Sequence, residues 1–419
     1  MIRLCLFDLD QTLVDTSDMQ ELREAGKHRT DNAYPQEVRT AFLSRQRNLI
    51  DEVTLLALTL NNAGLKIGVF TRSPRRYVDV VLAEAYVLIQ WDAVIAYEDV
   101  QNRKPNAEGI YRAMQAVGMN DTSALPHVLM VGDSDVDIRA AYHAGCYAAL
   151  FKQGWPQTYE KTHWRSMGLL PDSILDDQSE LQACIANPTP ALPDLECLLE
   201  GEQAIATPRY DEIGKFFPDE RTRHVVSTAG RSFADYRSLD QRRAWHRLSQ
   251  SIQQHKESVQ FPNEWIQTVQ RFIANHYRMI AGFPIGPGPE LVITCIPPRP
   301  DRVHRLGYFV NQLAASYGNA PLVNRLRLTF DHGLLAYRPG VRSQSQDHLS
   351  PAERFANVRD HLYVINPDAA RGRKFLVIDD VTTTGATLLY AKKYLMAAGA
   401  TSVDCFSIAQ NISDPLRLQ

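Results

Sequence analysis

Chemistry is suggested at two places in the 419-residue chain, each where an apolar run ends in acids. In "RLCLFDLDQTLVD" (residues 3–15), Asp8 and Asp10 stand two apart, so on a strand their side chains leave on the same face and can share one cation. Three later segments supply partners. Thr71 ends the apolar run of "VFTRSP", placing a hydroxyl and the following amides where a phosphate could dock. Lys104 opens "KPNAEGIYRAM", where Pro105 suits a first helical turn and the ammonium can lie beside an anion. Asp133 and Asp137, in "MVGDSDVDI", offer the cation further carboxylates. The second place is "FLVIDDVTTTGAT" (residues 375–387), where Asp379 and Asp380 precede a loop built of threonine and glycine. Two acids followed by small hydroxyl residues continue neither a strand nor a helix well, which raises the question of what the loop holds.

These residues need elements to position them. Short apolar runs ("LCLFDLD", "KIGVFT", "AVIAY", "HVLMVGD", "YAALF") alternate with helix-length segments up to about residue 186, the pattern of a parallel sheet covered on both faces. Each candidate segment then falls at a strand C-terminus, where open α/β sheets place their ligands. The prolines of "NPTPALPDLECLLEGEQ" predict a linker over 188–205, and fragments cut near 188–193 are expected to fold independently. Residues 206–280 read mainly as helix, after which "ELVITCIP" and "KFLVIDDV" restore strand patterning. The expected fold class is therefore α/β, with two Rossmann-like parallel-sheet domains. One spans 1–187, with a small helical cap at about 15–62; the other spans 206–419, with a helical segment 206–280 and a core 281–419.

Composition excludes several classes. Apolar content of 44% and charged content of 22% are those of an ordinary globular protein, and a net charge of −3 gives no bulk attraction to nucleic acid or to an anionic membrane. No apolar run approaches the ~18 residues of a membrane span, and Asp8 and Asp10 interrupt any signal-peptide core. Cys5, Cys146, Cys184, Cys197, Cys295 and Cys405 are scattered without a CxxC pair, which reads as reduced core thiols in a cytoplasmic protein.

The four N-terminal segments, in type, order and strand context, resemble the haloacid-dehalogenase (HAD) superfamily of phosphohydrolases over about residues 1–187. The resemblance implies that Asp8 is a nucleophile forming an aspartyl phosphate, and that Asp10 protonates the leaving group and then activates water. It further implies Mg²⁺ held by Asp8, the Asp10 carbonyl and Asp133, with Asp137 adjoining, while Thr71 and Lys104 grip the phosphoryl group. Asp10 favours an active enzyme, because members that are not phosphatases often lack this second acid. Sixty-three positions separate Asp8 from Thr71, a gap that in this family implies a small cap and an open cleft. Arg72, Arg75 and Arg76 are candidates for a second phosphate, against the plainer reading of solvated arginines.

"VIDDVTTTGAT" resembles the PRPP-binding loop of type I phosphoribosyltransferases; a P-loop would require a Gly-Lys-Ser/Thr that is absent. The resemblance implies that Asp379 and Asp380 bind ribose hydroxyls, and that Thr383, Thr384, Gly385, Ala386 and Thr387 receive the 5′-phosphate. The "TCIPPRPDR" stretch is placed like that family's pyrophosphate loop, nominating Pro298, Arg299 and Arg302. "SQDHLSPAERFANV" resembles ComF-like members, nominating Arg342, Ser343, Gln346, Arg354 and Asn357 around a mobile loop. The zinc-ribbon cysteines of some ComF-like proteins are missing, which leaves the acceptor base unread.

The combined expectation is a bifunctional, Mg²⁺-dependent enzyme that transfers phosphoribose from PRPP to a nucleobase-like acceptor and hydrolyses a phosphomonoester. A homodimer is compatible with this. Two alternatives stay open: a phosphatase regulated by a PRPP- or nucleotide-sensing domain, and a scaffold in a bacterial stress-response cluster linked to tellurite resistance. For the latter, "RRAWHR" (residues 242–247) is either a basic aromatic docking contact or the face of a packed amphipathic helix.

Overall fold

Short runs rich in Leu, Val, Phe and Ile become strands because both faces of the sheet they join are covered. In the computed structural model, which describes residues 1–156, 169–202, 207–277, 290–300, 302–318, 322–323, 326–342 and 349–417, the first sheet comprises six strands. These are β1 (Leu4–Phe7), β2 (Lys66–Phe70), β3 (Ala93–Ile95), β4 (Val128–Gly132), β5 (Tyr147–Phe151) and β6 (Ser173–Leu175), in the order β3-β2-β1-β4-β5-β6. Every pairing is parallel. The strand order reverses between β1 and β4, so their C-terminal ends open side by side at the switch point of the sheet.

The helices that alternate with these strands are α1 (Gln20–Ala25), α2 (Tyr34–Phe42), α3 (Glu52–Asn61), α4 (Arg75–Ala85), α5 (Glu108–Ala116), α6 (Asp135–Ala144) and α7 (Leu181–Ala186). Their starts follow local rules. Asp51 caps α3 by accepting from the Thr54 amide at 2.7 Å, and Gly145, in the left-handed region at φ 93°, ends α6. Within the segment expected as a cap, Tyr34 is fully buried and donates to the Leu22 carbonyl at 3.1 Å, tying α2 to α1. Arg39 reaches Glu84 of α4 at 2.9 Å.

The chain path departs from the expected linear order. One compact unit takes Met1–Leu192 together with Phe233–His246 and Ile412–Gln419; the other takes Pro193–Ser232 and Arg247–Asn411. Residues 188–205 are not a free linker over their described part, since α8 (Asp194–Leu199) buries Asp194, Leu195, Glu196, Cys197 and Leu198. Its prolines stand at the starts of short helical turns, where a missing N–H costs nothing. Nor is 206–280 purely helical. β7 (Asp211–Lys215), β8 (His224–Thr228) and β9 (Arg231–Phe233) precede α9 (Asp240–Trp245), α10 (Arg247–Gln254) and α11 (Asn263–His276). The short β-branched run "HVVST" of β8 carries too little periodicity to declare a strand before it meets a sheet edge.

The second unit completes its sheet with β10 (Glu290–Cys295), β11 (Leu322–Val323), β12 (Leu326–Phe330), β15 (Lys374–Thr382) and β16 (Ser402–Ile412), while β13 (Leu335–Tyr337) and β14 (Leu362–Val364) form a separate hairpin-like pair. The order is β11-β12-β10-β15-β16-β8-β7, parallel from β12 through β8 and antiparallel at both edges. With it pack α12 (Arg305–Tyr317), α13 (Pro351–His361) and α14 (Ala386–Ala397). Its core is centred on Ile293, Leu376, Val377, Ile378 and Phe406, all fully buried. Among the described residues no helix is long and apolar enough to cross a membrane, none of the six cysteines is in a disulfide, and all six are buried.

The "RRAWHR" stretch is partly interior: Arg242 and His246 are buried, whereas Ala244 and Arg247 are exposed. Arg242 is buried in the first unit with its guanidinium 4.0 Å from the Trp245 ring centroid and also faces Tyr142, Tyr147 and Phe233. It donates to the Cys146 carbonyl at 2.9 Å and pairs with the fully buried Asp172. A cut near 188–193 would therefore strip a buried carboxylate of its cation. Replacing Arg242 with Met in the full chain should destabilise the first unit by about 3–5 kcal/mol, because Asp172 stays buried without its counter-charge. Urea unfolding followed by tryptophan fluorescence reads this; an unchanged midpoint would refute it.

Candidate functional site

The site of the first unit grows from the parallel register of β1 and β4. The Asp8 amide donates to the Val131 carbonyl at 2.8 Å, so the residue leaving β1 lies beside the end of β4, where Gly132 and Asp133 follow. A Cβ on Gly132 would come within 2.3 Å of the Asp137 carboxyl carbon, so only glycine leaves room for that carboxylate. Asp137 sits in the first turn of α6 and accepts from Ser134 through its amide at 3.2 Å and its hydroxyl at 2.6 Å. Capping fixes one of its oxygens and leaves the other facing the site.

Lys104 occupies the centre. Its ammonium donates to Asp8 Oδ1 at 2.8 Å and to Asp137 Oδ1 at 2.7 Å, with the side chain 1% exposed and Nζ 4.8 Å from the Phe70 ring centroid. Burial works against its charge, but Asp137 and Asp8 outweigh burial and hold its basicity above the ordinary value. The Asp8 carboxyl is pushed up to about 6, first by burial, with Asp137 and Asp10 adding to the effect and Lys104 opposing it. Burial, then Asp137 and Asp8, raise Asp133 well above the usual carboxylate range. One oxygen each from Asp8, Asp133 and Asp137 lies within 4.8 Å of the others. Three converging hard oxygen donors fit Mg²⁺, and excess negative charge is what a divalent cation would relieve.

Asp10 points to a different set. It accepts from the Thr16 hydroxyl at 2.6 Å, from Tyr77 at 3.1 Å and from the Ser73 hydroxyl, and Arg23 of α1 lies 3.3 Å from its second oxygen. Its side chain is thus outside the three-carboxylate cluster. Thr71, buried at the end of β2, accepts the Ser73 amide at 3.1 Å. Sequence reasoning did not single out Thr16, Arg23, Ser73 or Tyr77. Thr16 and Ser73 lie within a few residues of the chosen acids and hydroxyls, whereas nothing local marks Arg23 or Tyr77. Arg75 and Arg76 are committed elsewhere: Arg75 pairs with Asp99, and Arg76 donates to the Arg29 and Asp31 carbonyls at 3.1 and 2.7 Å. Only Arg72 of that trio is exposed.

In the second unit β15 carries the acid pair. The Asp380 amide donates to Asp379 Oδ1 at 2.9 Å, and Arg305, at the start of α12, pairs with Asp380 at 2.8 Å. Burial and then Asp380 raise Asp379 well above the carboxylate range. Thr383 and Thr384 follow, and Gly385, at φ 80°, opens α14 at Ala386 and Thr387, a left-handed turn that an L side chain adopts only with strain. Pro298, Arg299 and Arg302 lie in the loop after β10, where the Ile296 amide donates to the Ile378 carbonyl at 3.0 Å. Arg342 exchanges backbone hydrogen bonds with the buried Asn357 amide group, and Arg354 donates to the Leu349 carbonyl at 2.9 Å. Among the described residues neither arginine bonds the acid pair, and Ser343 and Gln346 lie outside the described residues.

Residues 19–151 match the family model described as haloacid dehalogenase-like hydrolase, so this segment is a HAD-superfamily domain; the match contains Thr71, Lys104, Asp133 and Asp137 and begins after Asp8 and Asp10. A phosphoglycolate phosphatase of Salmonella choleraesuis is 32% identical over 130 residues, 31% of this chain and 48% of that protein. A putative pyrophosphatase PpaX of Clostridium perfringens is 28% identical over 179 residues, 35% of this chain and 81% of that protein. The chain thus spans about half the length of the phosphoglycolate phosphatase it matches. A crystal structure of a predicted phosphoglycolate phosphatase from Haemophilus somnus aligns at TM-score 0.33 and 21% identity, covering 43% of this chain and 97% of that one.

The raised Asp8 carboxyl sets a pH dependence. The unfolded chain releases this proton near the ordinary value of 3.8, whereas the folded chain holds it to about 6, so the folded state binds more protons in that window. Without metal, stability contributed by Asp8 should fall as pH rises from about 4 to about 6. Added Mg²⁺ should therefore raise the melting temperature more at about pH 7 than at about pH 5, where Asp8 keeps its proton. Calorimetric scans at both pH values check this; equal shifts would refute it.

Proposed function

We propose that the first unit is a Mg²⁺-dependent phosphomonoesterase acting through an aspartyl phosphate. The observation that carries this reading is the Lys104 ammonium set between Asp8 and Asp137 at the ends of β1 and α6, with Asp133 in reach. Asp8 has the position of a nucleophile: a carboxylate oxygen attacks phosphorus and the ester oxygen departs, taking a proton from Asp10. Water, surrendering its proton to Asp10, then cleaves the acyl phosphate and returns Asp8 and inorganic phosphate. Thr16, Ser73 and Tyr77 hold the Asp10 carboxyl in one orientation for both steps. Mg²⁺, held by Asp8 and Asp133 with Asp137 adjoining and the Asp10 carbonyl as the further donor, would supply charge neutralisation at the phosphoryl oxygens. Lys104 neutralises the same region with the protein's own charge. Small phosphorylated metabolites are the substrate class that the named activities of the relatives suggest.

For the second unit we infer phosphoribosyl binding, with transfer to a nitrogenous base as the activity. Support comes from the acid pair near the end of a central parallel strand, β15, which runs on to Thr382, and from the left-handed Gly385 that opens α14 shortly after it. Asp379 and Asp380 would accept from ribose hydroxyls, Arg305 exchanging its carboxylate partner for the ligand's surroundings. The loop amides and the N-terminal end of α14 would face the 5′-phosphate. Arg299 and Arg302 are the candidates for pyrophosphate.

Two measurements test the pair of readings separately. Asp8→Asn removes the nucleophile with little change of volume, so phosphate release from p-nitrophenyl phosphate should fall by about three orders of magnitude or more. Full activity in that variant would sink the aspartyl-phosphate mechanism. Changing both Asp379 and Asp380 to Asn should weaken PRPP binding by about tenfold or more, since each charge-assisted bond to a hydroxyl is worth roughly 1.5–3 kcal/mol. Titration calorimetry with PRPP and Mg²⁺ decides this, and unchanged affinity would assign the loop to another anion.

A further inference from the structure

We propose that Lys215 is a direct ligand of the phosphate received by the Thr383–Gly385 loop, bringing to it the positive charge that the loop itself lacks. This rests on the reading of the second unit as a phosphoribosyl-binding domain. Lys215 is the last residue of β7, an edge strand from the segment whose sequence reads as helix, and it lies far from the loop in the chain. Lys215 pairs with His224 of β8 in antiparallel register, and its side chain leaves the strand toward the loop that follows β15. There its ammonium donates to the Thr383 carbonyl at 2.6 Å. The aliphatic stem lies over Gly385, where a Cβ would come within 2.9 Å of the Lys215 Cγ. Gly385 is therefore needed twice, for its left-handed backbone and for the close passage of this stem.

The charge is what demands an explanation. Among the described residues no carboxylate is within ion-pairing distance of the Lys215 ammonium, and it is the sole cationic side chain hydrogen-bonded to Thr383–Gly385. Burial pushes its basicity down to about 8, with no acidic neighbour to restore it. A partly buried ammonium held against one carbonyl is a costly way to tether a loop, because a neutral donor could make the same bond without desolvating a charge. An ammonium has three donors, and this one uses a single donor on the loop. The remaining donors sit beside the same threonines and the same helix start that the phosphate would meet. An incoming phosphate would supply the missing counter-charge, and ammonium and loop amides would grip it together. No such cation is needed by ribose hydroxyls, which the acid pair serves.

The test uses the full chain carrying Asp8→Asn, so that the first unit does not consume the ligands. Ribose 5-phosphate and PRPP, each with Mg²⁺, are titrated calorimetrically into this protein and into versions that also carry Lys215→Met or Lys215→Arg. Methionine keeps most of the stem over Gly385, and thermal melts verify that the fold is retained. The expected result is a loss of about tenfold or more in affinity with Lys215→Met, by the same factor for both ligands because both carry the 5′-phosphate, and recovery of most of it with Lys215→Arg. Tight binding of both ligands that Lys215→Met leaves unchanged would overturn the role of Lys215 and leave the phosphoribosyl reading standing. A loss confined to PRPP would overturn the placement at the 5′-phosphate. Failure of the Lys215-containing protein to bind either ligand would overturn the phosphoribosyl reading itself and this inference with it.

Discussion

Carboxylates gathered at the mouth of a buried sheet repel one another, and in the first unit this repulsion is met by the ammonium of Lys104 lying between Asp8 and Asp137. Much of the surrounding structure serves that contact. The parallel register of β1 and β4 brings Asp8 beside Asp133; Gly132 leaves the volume that Asp137 fills; the cap at Ser134 aims one Asp137 oxygen inward. Because the cluster is buried, and because a single positive charge stands against three carboxylates, Asp8 and Asp133 hold their protons more strongly than usual. The arrangement is thus short of positive charge until a cation or substrate-bound metal supplies it, which ties stability, metal binding and proton uptake to one cluster.

The second unit meets a related problem with different parts. Asp379 and Asp380 are adjacent in sequence, so their charges cannot be separated by strand geometry, and the structure relieves them with a backbone amide and with Arg305. The loop beyond them has the opposite character. Its threonines and glycine carry no charge, and Lys215 reaches it from the sheet edge with no carboxylate paired to it among the described residues. Separating an acid pair from an uncompensated cation by a few residues of loop makes a polarised site, in which hydroxyls suit one end and an anion the other.

Continuity in sequence is a poor guide to continuity in space here. The first unit is completed by 233–246 and 412–419, and Arg242 from the former enters a cage of four aromatic rings to meet Asp172. A buried guanidinium is tolerable because its planar faces stack on rings while its edge donates to a carboxylate and a carbonyl. Arg242, which in isolation looks like part of a basic aromatic surface, is in place part of a core.

What the sequence marked by itself was the set of candidate residues carried by short, local patterns. Asp8, Asp10, Thr71, Lys104, Asp133, Asp137 and the acid pair with its threonine–glycine loop were all legible, because strand-end acids and turn residues declare themselves within a few positions. The alternation of apolar runs likewise revealed five strands of the six-stranded parallel sheet, missing only the short β6, since buried strands and covering helices differ in length and period. Tertiary structure alone decided the rest. Arg23 and Tyr77 reach Asp10, Arg305 reaches Asp380 and Lys215 reaches Thr383 across gaps in sequence that no periodicity spans. The strands at 211–215 and 224–228 exist because a sheet edge offers them partners, and the proline-rich stretch is folded because its apolar residues find a core. Local propensity reports what a segment can do alone; which distant group will desolvate it, neutralise it or pair with its backbone is set only when the chain has closed on itself.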